Sequence, residues 1–231
     1  MQNPQKSKNI ILSLSGGLDS SSLLFDYKEQ IKYAVSFKYP SNHNSKELKC
    51  AALVCEKAGI PHRIIDVTEV FKGFKSALLS GADAVPNAEY SQESISQLVV
   101  PFRNGIFLSI LAGLAESENC EYIALASHAN DSTTYPDCRP EFSIAFDKAV
   151  ELGTSNGVRF FCPYKDIPKR FVAYKGIKAG LDPEWTYSCY KGGNKPCGVC
   201  PTCKERKEAI EWAYNQIEKD SKTTQDSTLV E

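Results

Sequence analysis

The chain has no run of about 18 or more apolar residues, so no segment is predicted to cross a membrane. Neither sign of charge dominates. Its 27 Lys and Arg residues against 28 Asp and Glu leave a formal net charge of −1, which gives no broad electrostatic grip on nucleic acid. Internal repeats and long low-complexity tracts are missing too. With 42% apolar and 24% charged residues, the composition excludes a collagen, a coiled coil and a wholly disordered chain. Ile10, Ile11 and Leu12 follow a polar start and are too short a run for a signal-peptide core. The expected location is therefore cytoplasmic.

The 231 residues suffice for one large domain with a small appendage, at roughly 150 residues per domain. Cysteine is plentiful and odd in number, with nine residues. Cys189, Cys197, Cys200 and Cys203 fall close together and the other five are scattered, which favours a metal site over a disulfide framework.

Short β-type runs alternate with helical patterns. Strands are predicted over residues 9–14, 32–37, 62–66, 122–126 and 158–162. Helices are predicted over residues 20–30, 45–58, 103–116, 141–152 and 168–179, with Gly59, Gly153 and Gly180 as stops. In the second of these, Leu48, Ala51, Ala52, Cys55 and Ala58 share one face. Such alternation implies βαβ units and a doubly wound, mostly parallel α/β sheet of Rossmann-like type. Ligands then gather at the carboxyl ends of the strands. Residues 70–101 mix Gly, Ser, Asn and Pro with weak periodicity and read as a functional loop or lid. Residues 1–185 form the expected main domain, residues 186–219 a cysteine-rich segment with a C-terminal helix, and residues 220–231 a frayed tail.

Leu14-Ser15-Gly16-Gly17-Leu18-Asp19-Ser20 follows a strand and opens a helix. Two glycines let the backbone approach a ligand, and the N–H groups beyond them with the helix dipole make an anion site. Asp19 suits such a site if it helps to hold Mg²⁺. The plain alternative is a Gly-Gly turn with Asp19 or Ser20 as helix N-cap. The Gly-Lys-Ser/Thr element of the Walker pattern is missing.

Cys189-x7-Cys197-x2-Cys200-x2-Cys203 supplies four thiolates, enough for a closed tetrahedral zinc shell with a structural role. Gly192, Gly193, Pro196, Gly198 and Pro201 supply the turns. An iron–sulfur cluster also uses four cysteines. Arg103 and Asn104 open an apolar helix, as anion ligand and neighbour or as surface charge and cap. His128 and Asp131 follow a buried strand, where a doubly wound sheet places ligand groups. Tyr135-Pro-Asp137-Cys-Arg139-Pro-Glu141 sets two carboxylates, an Arg and a Tyr between prolines, to meet a ligand or to form a capping turn.

The first of these motifs resembles the SGGxDS pyrophosphate loop of the N-type ATP pyrophosphatases, whose fold is of the adenine nucleotide alpha hydrolase type. Four elements in order resemble the 7-cyano-7-deazaguanine synthase family. They are Ser15-Gly-Gly-Leu-Asp-Ser20, Val100-Pro-x-Arg-Asn104, Tyr135-Pro-Asp-Cys-Arg-Pro-Glu-Phe142, and Trp185-Thr-Tyr-Ser-Cys189 with the three later cysteines.

The resemblance implies an ATP-dependent C–N ligase that turns 7-carboxy-7-deazaguanine and ammonia into the nitrile preQ0, on the queuosine route. It implies one structural Zn²⁺ per chain, ATP with Mg²⁺ as co-substrate, free ammonia as nitrogen donor and a homodimer. ATP would be held by Leu14, Ser15, Gly16, Gly17, Leu18, Asp19 and Ser20. Asp19, Arg103, His128 and Lys169 would form the reacting centre. Arg103, Asn104, Asp131, Tyr135, Asp137, Arg139 and Glu141 would meet the substrate, with Asp137 and Glu141 reading its guanine-like edge. Arg139 would hold them or touch the partner subunit.

Three places depart from the family pattern: Tyr39-Pro-Ser-Asn-His43 replaces Tyr-Gly-Gln-Arg-His, Phe102 precedes Arg103, and residues 70–98 align loosely. The first of these motivates an alternative. Relatives in bacterial anti-phage systems are thought to use the same adenylation to attach a deazaguanine to a protein or nucleic acid.

Overall fold

In the computed structural model, which describes residues 9–79, 99–191 and 193–227, a five-stranded parallel sheet has the strand order β3-β2-β1-β4-β5. The strands are β1 (Ile10–Ser13), β2 (Ile31–Lys38), β3 (His62–Asp66), β4 (Tyr122–Ala124) and β5 (Arg159–Phe161). β1 is central and wholly buried, so its sequence is a continuous apolar run rather than an alternation. Its side chains still alternate in direction. Ile10 and Leu12 join one core and Ile11 the other.

The helices are α1 (Leu18–Asp26), α2 (Asn44–Ala58), α3 (Arg103–Ser117), α4 (Pro140–Gly153), α5 (Lys169–Lys178) and α6 (Pro201–Ser227). Leu23 and Leu24 of α1, Val54 of α2, Val172 of α5 and Ala213 of α6 pack on the Ile10 face. Leu108 and Leu111 of α3 and Val150 of α4 pack on the Ile11 face. The sheet is thus doubly wound, as the alternation predicts. Gly59 caps α2 at φ +69°, a left-handed conformation that costs glycine nothing.

From β1 the chain steps to β2 and β3 on one side, and it later returns to β4 on the other side of β1. The strand order therefore reverses between β1 and β4, and a crevice opens beyond their carboxyl ends.

Two differences from the sequence reading stand out. The last helix runs through Ser227, where a frayed tail was expected from Asp220. Asp220 explains this, because it accepts hydrogen bonds from Tyr174 of α5 (2.5 Å) and from Gln216 one turn back (2.9 Å). The predicted loop at 70–101 is described only at its ends. Phe71, Leu78 and Leu79 sit in the core there, and residues 80–98 lie outside the described residues, as does Gly192.

Candidate functional site

The turn after β1 is tightly built. Gly16 has φ +84°, and a Cβ there would lie 2.2 Å from the Glu47 carbonyl oxygen and 2.7 Å from the Ala51 nitrogen, both in α2. Only glycine fits. The N-cap of α1 is Gly17, with no side-chain cap, so the helix opens with N–H groups available to an anion. This removes the plain alternative, in which Asp19 or Ser20 was the cap. Asp19 is instead in the first turn, and the Ser20 hydroxyl lies 2.9 Å from that of Ser15. The Gly17 N–H also donates to the Ser15 hydroxyl, at 3.2 Å.

A charged network adjoins this loop. Lys169 Nζ, at the start of α5, donates to Asp19 Oδ2 at 3.0 Å. His128 Nε2 lies 3.7 Å from the same oxygen and 3.5 Å from Asp131 Oδ2. Glu205 of α6 reaches Lys169 at 3.9 Å. Burial works to raise the Asp19 pKa, but the Lys169 ammonium and His128 hold it well below the usual carboxylate range. Burial opposes the charged form of His128 as well, yet Asp19 and Asp131 carry its pKa above the ordinary value. Burial pushes the Asp131 carboxyl up. The other Asp19 oxygen, Oδ1, is buried with no hydrogen-bond partner. A buried carboxylate oxygen left without a donor fits a hard divalent cation such as Mg²⁺.

These groups face a cavity of about 220 Å³ over the carboxyl ends of β1 and β4. Ser15, Gly17, Asp19, Ser20, Asp131 and Lys169 line it. So do Arg103, Asn104, Tyr135, Tyr39, His43 and Glu47. Arg103 donates to the Tyr39 hydroxyl at 3.3 Å. Tyr135 and Tyr190 share a hydrogen bond of 2.8 Å between their hydroxyls. His128 is buried behind the Asp19 carboxylate.

Not every expected residue converges on this cavity. Asp137 accepts the Asn104 backbone N–H at 2.9 Å, and the Asn104 amide donates to Cys138 Sγ at 3.2 Å. The physical reason lies in Phe102. This residue is the α3 N-cap, at φ +50°, and has no polar side chain to close the helix start, so a distant carboxylate does so. Arg139 and Glu141 are exposed at the start of α4 and do not line the cavity.

Conversely, the sequence reading named no role for Glu47, Tyr190, Tyr187 or Glu205. Glu47 had a signal, since it lies one turn after the divergent 39–43 segment. Tyr187 and Tyr190 flank the first cysteine of the cluster.

The sulfur atoms of Cys189, Cys197, Cys200 and Cys203 all lie within 4.8 Å of one another. Zn–S bonds of about 2.3 Å imply S···S edges of about 3.8 Å, and Cys197 and Cys203 are 4.0 Å apart. The set fits one tetrahedral ion and is too tight to enclose an iron–sulfide cluster. Backbone N–H groups favour the thiolate form. Cys200 N–H donates to Cys197 Sγ at 3.3 Å, and Cys197 N–H donates to Cys189 Sγ at 3.4 Å. Burial opposes ionisation of Cys197, but the N–H groups of Val199 and Cys200 pull its pKa down to about 6. Four thiolates would fill the shell of a tetrahedral ion and leave it no open position. Among the described residues no helix is long and apolar enough to cross a membrane.

Curated relatives named 7-cyano-7-deazaguanine synthase include one from Porphyromonas gingivalis, 44% identical over 206 residues, covering 89% of this chain and 94% of the relative. Another, from Desulfotalea psychrophila, is 46% identical over 202 residues, covering 87% and 92%. A solved structure of NMN synthetase from Francisella tularensis is similar at a TM-score of 0.46 and 13% identity, covering 90% of this chain and 85% of that one. The family model described as "Queuosine biosynthesis protein QueC" matches residues 9–214, and the chain belongs to that family.

Proposed function

We propose that this chain is an ATP-dependent ligase that converts 7-carboxy-7-deazaguanine and ammonia into 7-cyano-7-deazaguanine through adenylated intermediates. The curated relatives carry the name of that synthase. The observation that carries the reading for this chain is one cavity in which the glycine loop, the Lys169 ammonium and the Arg103 guanidinium converge. None of the relatives reported above supports a protein or nucleic-acid acceptor, and Tyr39 and His43, which flank the divergent residues 40–42, line that same cavity.

In this reading the triphosphate lies on the Ser15–Ser20 turn and the first N–H groups of α1. Mg²⁺ at Asp19 supplies charge neutralisation on the pyrophosphate when bound. Lys169 turns from Asp19 to the phosphates, and its charge is kept because burial is outweighed by Asp19, Asp131 and Glu205. Arg103 orients the substrate carboxylate. A carboxylate oxygen attacks the α-phosphorus, the bond to the β-phosphate breaks, and pyrophosphate leaves. Ammonia adds to the acyl-adenylate, AMP departs, and the amide forms with release of one proton. The amide oxygen then attacks the α-phosphorus of a second ATP, a second pyrophosphate leaves, and loss of AMP with the two remaining N–H protons leaves the nitrile. Catalysis here is positioning plus stabilisation of charge on phosphate oxygens.

The guanine-like edge offers N–H donors, which call for a carboxylate. Asp137 serves the start of α3 and Glu141 is exposed, whereas Glu47 lines the cavity and acts electrostatically on Arg103. We assign that edge to Glu47. Zinc is the ion assigned to the four thiolates, one per chain. A homodimer is part of the reading, with exposed Arg139 available to the partner copy, and the expected location is cytoplasmic.

The test is incubation of the purified protein with the acid, ATP, Mg²⁺ and ammonium, followed by mass detection of the amide, the nitrile and AMP. Nitrile and AMP are expected together. Absence of AMP formation overturns the reading.

A further inference from the structure

The glycine loop is held by the segment that enters the metal site, whose Tyr187 and Ser188 also line the cavity. Tyr187 N–H donates to the Gly16 carbonyl at 3.0 Å. In a trans peptide the carbonyl and the next N–H point in opposite directions, so this bond also aims the Gly17 N–H inward, toward Ser15 Oγ at 3.2 Å. The Tyr187 carbonyl oxygen and Ser188 Oγ stand 3.6 Å and 3.8 Å from the position of a Gly17 Cβ. On the opposite side, α2 closes on Gly16. The loop is therefore gripped between α2 and residues 186–188.

One side chain fixes residues 186–188. Arg206, three residues after Cys203 on α6, donates through one guanidinium nitrogen to Thr186 Oγ1 at 2.5 Å. Its other nitrogen donates to the Pro183 carbonyl at 2.5 Å. Thr186 Oγ1 donates in turn to the same Pro183 carbonyl at 2.8 Å, closing a three-membered knot one residue from Tyr187. Thr186 is buried. The metal ligand Cys189 anchors the far end of the same stretch.

We infer that Arg206 is a positioning residue for ATP: by clamping Pro183 and Thr186 it sets Tyr187, and Tyr187 sets the Gly16–Gly17 peptide on which the phosphates rest. The inference rests on the functional reading above. It assigns the zinc-bearing helix a part in nucleotide affinity beyond stapling the C-terminal segment. A planar fork is required, because two acceptors must be met at once, and a lysine ammonium reaches them only as a point charge.

The test uses Arg206→Lys and Thr186→Val in the full chain, with metal content, ATP affinity without the acid, and the KM of the acid all measured. Losing part of a charged, bidentate contact is expected to weaken ATP binding about 10- to 100-fold in Arg206→Lys, and roughly threefold or more in Thr186→Val. Zinc should stay at one per chain, and the KM of the acid should move less than about twofold. Wild-type ATP affinity in a folded, metal-loaded Arg206→Lys overturns the inference. So does a loss of ATP binding that merely tracks loss of metal, since Arg206 would then only support the knuckle. If Arg206→Lys does not fold, Thr186→Val reads the same link. A wild-type chain that binds no ATP overturns the functional reading and this inference with it.

Discussion

Lys169 Nζ and Asp19 Oδ2 are 3.0 Å apart although 150 positions separate them in the chain. Each stands in the first turn of its helix, and α1 and α5 pack on the same face of the sheet. The pair holds a cation at the mouth of the phosphate loop before nucleotide arrives. Lys169→Met keeps much of the stem and removes the charge. It is expected to cut AMP formation about 10²- to 10³-fold, the range for losing one preorganised group that stabilises transition-state charge. Circular dichroism verifies folding, and pyrophosphate release reads the rate. Undiminished release would take Lys169 out of the reacting centre.

Arg103 stands at the first position of α3 and meets the Tyr39 hydroxyl. Arg103→Ala should abolish AMP formation while leaving the thermal transition close to that of the wild type, because its guanidinium faces the cavity rather than the packed core. AMP production at the wild-type rate removes it from the site.

The pH dependence of stability follows from the His128 and Asp19 shifts, which have opposite signs. His128 is raised from 6.5, so its contribution is complete below pH 6.5 and is lost as pH climbs through the raised value. Asp19 is lowered from 3.8, so its contribution is present above that value and is lost only as pH falls through the depressed one. Both act together between about pH 4 and 6.5. The gap in melting temperature between the wild type and His128→Asn should be widest near about pH 5–6 and narrow toward alkaline pH. A gap that does not change with pH would show that His128 carries no charge in the folded protein.

Much of this was legible in the sequence, and the exceptions share a cause. Apart from the last helix, the predicted strands and helices end within a few residues of the observed ones because Gly59 and Gly180 and the apolar periods are local signals. The glycine loop and the four-thiolate cluster are equally local. Asp137 belongs to a motif that reads as a ligand contact, but its carboxylate goes to a helix start 33 positions away. Only the folded chain shows that Phe102 leaves that start without a side-chain cap. Asp220 likewise reads as tail until Tyr174 is seen beside it. Glu47 was hidden by its own helix, whose apolar face drew the reading while a polar face met the cavity.

Removing the metal should loosen the nucleotide loop as well as the knuckle. Structural zinc sites contribute folding free energy directly, so a strong chelator is expected to lower the melting temperature by roughly 10 °C or more. Cys197→Ser should do the same without chelator. ATP affinity should fall in parallel, because Cys189 ends the stretch that carries the Tyr187–Gly16 bond. A chelated protein with unchanged melting and metal content at zero would show that the thiolates hold no structural ion.

Glu47 offers the sharpest test of substrate recognition. It is the first-turn acid of α2, its side chain is only 15% exposed, and His43 Nε2 lies 3.7 Å from its carboxylate. A carboxylate accepts two N–H bonds from a guanine-like edge, whereas an amide in its place offers one acceptor and presents a donor to a donor. Glu47→Gln should therefore raise the KM of the acid about 10- to 100-fold, the discrimination expected when a buried polar edge is left mismatched. The KM of ATP should hold, since it is the Glu47 backbone that packs against the phosphate loop and the substitution leaves that backbone in place. Asp137→Asn and Glu141→Gln provide the contrast. The first should lower stability through the α3 cap with little effect on the KM of the acid, and the second should do neither. If Glu141→Gln raises that KM and Glu47→Gln does not, the guanine edge is read at the mouth of α4 and the assignment of Glu47 fails.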